Sequence, residues 1–220
     1  MKAGKNRKLW VAVGLLAAFV VWTVLVKTVD VQPIGPRGAA VGFATLNGWF
    51  HARTGVHWSL YVITDWLGLV PIGVAFGFAV LGLVQWMGRR CFWRVDRSIL
   101  LLGVFYTVVI AVYVLFELVV INRRPVLIDG YLEASYPSST TMLVLCVLPT
   151  AMTQLQTCIK NKLLRRVVCT MIGAFMAFMV AGRLLSGVHW FSDIVGGALL
   201  SAGLVMMYKW GLSWLDRNSR

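Results

Sequence analysis

Six stretches of this 220-residue chain are almost continuously apolar, and polar or charged residues gather between them. The runs fall at about 9–26, 66–86, 99–120, 140–157, 167–184 and 194–212. Each is close to the roughly 20 residues that a helix needs to cross a bilayer. None shows the in/out alternation of a barrel strand. The pattern predicts an all-α polytopic membrane protein, a six-transmembrane-helix bundle forming a single domain over residues 1–220. The first run follows a basic head, as a signal sequence does. It is longer than a signal core and no small-x-small site follows it, so it is expected to stay as the first helix.

Composition agrees with a membrane solvent. Hydrophobic residues make up 59% of the chain and charged residues 13%, with a mean hydropathy of +0.79. A soluble domain carries about a quarter charged residues, so a disordered chain and a water-soluble enzyme are both excluded. The net charge of +13 raises nucleic acid as a partner, but the positions of the charges argue against it. Lys2, Lys5, Arg7 and Lys8 precede the first run, and Arg89, Arg90, Arg94 and Arg97 follow the second. Lys160, Lys162, Arg165 and Arg166 separate the fourth from the fifth, and Lys209, Arg217 and Arg220 close the chain. These are 15 of the 21 basic residues, on alternate connections, as the positive-inside rule expects of a cytoplasmic face. Both termini are therefore expected inside, with no nucleic-acid partner and some affinity for anionic lipid head groups. Cys91, Cys146, Cys158 and Cys169 form no C-x-x-C pair, so neither a disulfide frame nor a zinc site is indicated.

Three segments are expected to face outward: 27–65, 122–139 and 185–193. The first is rich in glycine and aromatics, which suits the membrane interface. Asp65 at its end is either a site residue or, on the preferred account, a water-facing carboxylate where a helix starts; His51 and His57 either fold back over the site or, on the preferred account, are interfacial residues. The second contains Asn122-Arg123-Arg124-Pro125 and then Tyr136-Pro137-Ser138-Ser139-Thr140-Thr141. Serine and threonine at a helix start can be plain caps, but free N–H groups there also bind anions, and the paired arginines favour a bound anion. The third contains Arg183, then His189 and Asp193 four residues apart. On one helix face the carboxylate can hold one ring nitrogen and leave the other free to attack. Arg183 can offer a forked donor to a phosphate. A purely structural His–Asp contact is the alternative, which three nearby arginines and a serine-rich helix start make less attractive.

These residues resemble the type 2 phosphatidic acid phosphatase family of integral-membrane lipid phosphatases, whose pattern is K-x6-R-P, P-S-G-H and S-R-x5-H-x3-D. Arg183, His189 and Asp193 match the third part, with Gly182 in place of its serine; Arg124-Pro125 and Pro137-Ser138 match the first two in part. The resemblance implies cofactor-free hydrolysis of a lipid phosphate at the outer membrane face. His189 would form a phosphohistidine, Asp193 would orient it, and Arg183, Arg124, Ser138 and the N–H groups of Ser139 and Thr140 would hold the phosphoryl oxygens. Two positions depart from the pattern: Glu117 stands at the family lysine and Thr140 at its second histidine, the proton donor. Glu117 lies about two helical turns before Arg124. If the third span continues outward, it is expected to ion-pair with Arg123 or Arg124, or less readily to replace the missing acid. The departures also leave open a lipid-phosphate binding or transport protein that keeps the cradle without efficient turnover. The lipid and the oligomeric state are not specified by the sequence.

Overall fold

The computed structural model describes residues 2–218; Arg220 of the basic tail lies outside them. The chain runs through α1 (Lys2–Thr28), α2 (Ala44–Thr54), α3 (Trp58–Leu67), α4 (Leu69–Arg89), α5 (Arg97–Leu118), α6 (Ser139–Cys158), α7 (Lys162–Leu185) and α8 (Phe191–Asn218). Among the described residues, strand pairing is limited to isolated bridges at Gln32–Val41, Arg123–Ala134 and Ile128–Tyr131. The protein is an all-α polytopic membrane protein.

Among the described residues, five stretches are long and apolar enough to cross a membrane: Asn6–Thr28, Trp58–Arg89, Arg97–Leu118, Lys162–Leu185 and Phe191–Arg217. Their flanks carry large exposed side chains such as Phe76, Ile110 and Met171, each more than 60% exposed. A surface of that kind needs lipid rather than water around it. The remaining expected span, α6, is not in this set, because its threonines and glutamines lower its mean hydropathy. It packs against α4, α5, α7 and α8, so its polar residues meet protein. Tyr106 of α5 and Thr150 pair through their hydroxyls at 3.2 Å, and the Gln154 amide donates to the Tyr208 hydroxyl of α8 at 2.6 Å. Polar side chains satisfied across helices are compatible with membrane depth, and they lower the helix's average apolarity.

Two expected boundaries move, and both matter for the site. The second span begins at Trp58 rather than near 66, because α3 and α4 continue one another across Gly68. Asp65 therefore lies in the last turn of α3 instead of ahead of a helix. The third span stops at Leu118, and the backbone has left helical geometry at Val119, with φ -101 and ψ 83. Glu117 and Arg124 thus do not share a helix face, and the expected Glu117 ion pair does not form.

The core is built around α1 and α8, which lie along each other, with Phe19, Leu102, Phe105, Tyr136, Met142 and Leu204 packed between helices. Because α1, α5 and α7 end where α3, α6 and α8 begin, every polar outer segment meets at one end of the bundle. The arginines at 89–97 and the basic residues at 160–166 collect at the other, where Gln154 reaches the Ser98 carbonyl at 3.4 Å. At the site end, Gly187 takes φ +71, and a Cβ there would sit 2.0 Å from the Gly55 carbonyl oxygen. Only glycine lets the 186–190 loop lie this close to the start of α3. The His57 N–H seals the contact by donating to the Ser186 carbonyl at 3.0 Å.

Candidate active site

His189 sits at the turn just before α8. It is 3% exposed, and its Nδ1 lies 3.1 Å from the Ser135 carbonyl oxygen. That contact assigns the proton to Nδ1 and turns Nε2 into the free lone pair. Nε2 is buried with no hydrogen-bond partner. Asp193, in the first turn of α8 and fully buried, comes within 3.8 Å of Nδ1. At that distance it acts on the ring by charge, while the Ser135 carbonyl makes the hydrogen bond. The carboxylate is itself held in place, accepting the Trp190 N–H at 3.0 Å and the Asn122 amide at 3.3 Å. The expected i, i+4 approach of Asp193 to the imidazole is present, at 3.8 Å, with the Ser135 carbonyl as a further partner of the same nitrogen. Burial pushes the His189 imidazole down from 6.5 to about 4, with Asp193 opposing the shift and Arg124 and Arg183 adding to it. The ring is neutral at pH 7, as a nucleophile must be.

Two buried arginines supply positive charge beside it. Arg183, 2% exposed on the last turn of α7, donates from Nη2 to Asp65 Oδ1 at 2.9 Å and to Thr140 Oγ1 at 2.6 Å. Its guanidinium carbon lies 5.1 Å over the Tyr61 ring, a cation–π contact. Its Nε and Nη1 are buried without partners. Arg124, 8% exposed, has Nε 3.1 Å from Glu133 Oε2, and its Nη1 is also without a partner. Buried donors are nearly always satisfied, so several unsatisfied ones from different elements mark a place built for an anion.

The start of α6 completes the cradle. Ser138 is the residue at the cap position, yet its side chain makes no capping bond and its buried Oγ has no partner. Capping therefore does not explain it. Its N–H donates to the Asp193 carbonyl at 3.1 Å, which ties α6 to α8. The first intrahelical bond of α6 runs from the Met142 N–H to the Ser138 carbonyl, so the N–H groups of Ser139 and Thr140 remain available at a helix N-terminus. Glu117 is exposed and, with Tyr113, Ser135, Ser139 and His189, lines a small cleft opening beside α5.

The structure brings His189, Asp193, Arg183, Arg124, Ser138, Ser139 and Thr140 to one place, with Glu117 at its margin. His51 stays apart with its ring 5.5 Å from Trp190, and His57 has Nε2 2.8 Å from the Thr54 carbonyl. Four contributors have no signature in the sequence motifs: the Ser135 carbonyl, Asn122, Glu133 and Asp65. Asp65, for which facing water is the preferred sequence reading and a site role the alternative, stays 56% exposed but is bonded to Arg183. The i, i+4 spacing from Tyr61, the arginine's stacking partner, is the one signal that could have pointed to it.

The family model described as the PAP2 superfamily matches residues 120–217. The matched segment, just under half of the chain, contains every residue of the cradle from Arg124 to Asp193 and excludes Glu117 and Asp65. A solved structure, "Crystal structure of the first transmembrane PAP2 type phosphatidylglycerolphosphate phosphatase from Bacillus subtilis", aligns with a TM-score of 0.57 at 20% identity. The alignment covers 96% of this chain and 98% of that one, so the two share the fold over nearly their whole lengths. No curated protein matches the chain.

Proposed function

We propose that this chain is a PAP2-type lipid phosphatase that works without a metal through a phosphohistidine, with its site at the outer face of a plasma membrane. The observation that carries the reading is the lone Nε2 of His189, buried and unpartnered beside unpartnered guanidinium N–H groups of Arg124 and Arg183. Nε2 would bond to phosphorus while the P–O bond to the lipid breaks, and water would then cleave the N–P bond. Phosphoryl transfer asks mainly for positioning and for neutralisation of charge on the equatorial oxygens. Arg183, Arg124, Ser138 and the N–H groups of Ser139 and Thr140 can provide both. The site lies at the ends of the spans, so an amphiphile could approach from the bilayer with its tails in lipid. Phosphatidic acid, phosphatidylglycerol phosphate and isoprenoid phosphates or diphosphates fit that description.

A second reading, a lipid-phosphate binding or transport protein, draws on Glu133 and Asp65, which already occupy the two arginines, and on Thr140, which cannot protonate a leaving group. Phosphate release from these lipids by purified protein, with and without chelator, decides between them. The phosphatase releases phosphate equally in both; saturable binding with no release leaves only the binder.

Two further outcomes are expected. In a cysteine-free background, an impermeant maleimide added outside should label Tyr131→Cys, near the site, and leave Leu163→Cys unlabelled until the membrane is opened. Both positions are well exposed, at 74% and 69%, so the reverse pattern would put the site in the cytoplasm. For pH, a histidine lowered from 6.5 to about 4 stays neutral as pH falls through 6.5 and loses its lone pair only near 4. The acid limb of kcat/KM, corrected for ionisation of the substrate, reports the free enzyme and should therefore lie near pH 4. A corrected limb between 6 and 7 would contradict a buried neutral imidazole.

A further inference from the structure

Three unusual positions meet at one corner of the site: Gly182, Thr140 and Asp65. Gly182 is buried on α7, and a Cβ there would sit 2.6 Å from Thr64 Cγ2 on α3. Thr64 is fully buried and cannot easily retreat. Any larger residue at 182, including the serine of the family pattern, would push α3 away. With glycine, α3 lies against α7, and the residue after Thr64 is delivered to Arg183. The same guanidinium nitrogen then bonds Asp65 at 2.9 Å and Thr140 at 2.6 Å. Gly68, at the joint between α3 and α4, borders the corner as well, since a Cβ there would lie 3.7 Å from Thr140 Cγ2. The Asp65 side chain is 56% exposed, so it is open to solvent rather than sealed in as a buried anchor.

Expelling an alkoxide requires a proton donor at the leaving oxygen. Neither the Thr140 hydroxyl nor the Arg183 guanidinium can give one up near neutral pH. Glu117 shares a cleft with His189 itself, whereas in-line displacement sets the leaving oxygen opposite the nucleophile. Asp65 is held across Arg183, outside that cleft.

Resting on the phosphatase reading, we propose that Asp65 is the catalytic residue that carries the leaving-group proton in this chain. A phosphate monoester monoanion that takes over Arg183 hands its proton to the displaced Asp65 carboxylate. The Nε2–P bond then forms, the P–O bond to the lipid breaks, and the leaving oxygen takes the proton from Asp65. In the second half, water's oxygen bonds to phosphorus, the N–P bond breaks, and the Asp65 carboxylate takes a proton from that water. Asp65 passes the proton to the departing phosphate and returns to Arg183.

Asp65→Asn keeps an oxygen for Arg183 and removes the proton carrier. For the full-length protein in detergent, kcat on dioctanoyl phosphatidic acid should fall by about 10²-fold, the usual scale of acid–base catalysis. The pre-steady-state burst of p-nitrophenol from p-nitrophenyl phosphate, whose leaving group needs no proton and whose release precedes the water step, should stay within about threefold in rate, and this also reports that the variant is folded. Adding Thr140→His, which supplies an imidazole at the same corner, should recover about tenfold of the loss on the alkyl substrate. Equal losses on both substrates, or no loss on the alkyl one, overturns the role of Asp65. A wild-type protein that releases phosphate from neither substrate overturns the phosphatase reading, and the proposal with it.

Discussion

His189→Ala is expected to abolish phosphate release, with a loss on the order of 10⁴-fold or more, the scale seen when an enzyme loses its nucleophile. The reason is specific to the geometry. Nδ1 is fixed on the Ser135 carbonyl at 3.1 Å, so the ring cannot turn its other nitrogen into the site. The fully buried Asp193 adds a negative charge that favours the positive ring formed on phosphorylation. No other nucleophile of comparable strength is held in the cradle; the Ser138 and Thr141 hydroxyls are buried without a base beside them. The measurement is single-turnover release from a lipid phosphate, paired with trapping of an acid-labile phosphoenzyme in the wild type. The variant should form no such adduct while still binding the lipid, because the arginines remain. Release by the alanine variant within tenfold of wild type would eliminate His189 as the nucleophile. Release at a normal rate in the wild type without any trapped adduct at early times would favour direct attack by water.

The fold is legible in the chain wherever lipid imposes one requirement on every exposed face. The runs at 9–26, 99–120, 167–184 and 194–212 correspond to α1, α5, α7 and α8 to within a few residues, apart from the inner extensions of α1, α7 and α8. The start of α3 is hidden because Trp58, Tyr61 and the residues between them look like an interfacial loop in composition. Helix α6 is apolar enough to be recognised but too polar to pass as lipid-facing, since its Thr150 and Gln154 bond to neighbouring helices. For the site, the spacing from Arg183 through His189 to Asp193 is readable, because all three sit on adjoining ends of α7 and α8. The chain around Ser138 is readable for the same reason. Asp65 is not, because it reaches the site from a distant segment and local spacing carries no trace of such a contact; Asn122 and Glu133 lie in the same outer segment as Arg124, but their bonds to Asp193 and Arg124 depend on how that segment folds back. Gly182 looks like a lapse from a pattern, and its physical role appears only once Thr64 is found against it.

Arg183→Ala is expected to lower kcat/KM on the order of 10³-fold, the upper range for losing a donor aimed at transition-state charge. Arg183 should matter more than a single donor because its Nε and Nη1 are unpartnered and its Nη2 is already engaged. A phosphate that displaces Asp65 from Nη2 can be met along one edge of a rigid fork, by Nη2 together with Nε or with Nη1, while Thr140 and the ring of Tyr61 hold the plane of that fork. Arg183→Lys keeps the charge but loses the fork and the stacking, so it should recover only part of the rate. Binding gives a second readout that does not depend on turnover. In the apo protein these buried donors lack partners, which costs free energy that a bound anion relieves. Orthovanadate should therefore raise the unfolding temperature of the wild type and do so much less for Arg183→Ala. Without ligand, the alanine variant should unfold no more than a few degrees below wild type, because the carboxylate it releases, Asp65, is 56% exposed and can be hydrated. If the alanine variant instead kept both its rate and its vanadate shift, the phosphate would have to be held by Arg124 and the α6 N-terminus alone. Arg183 would then be an anchor for α3.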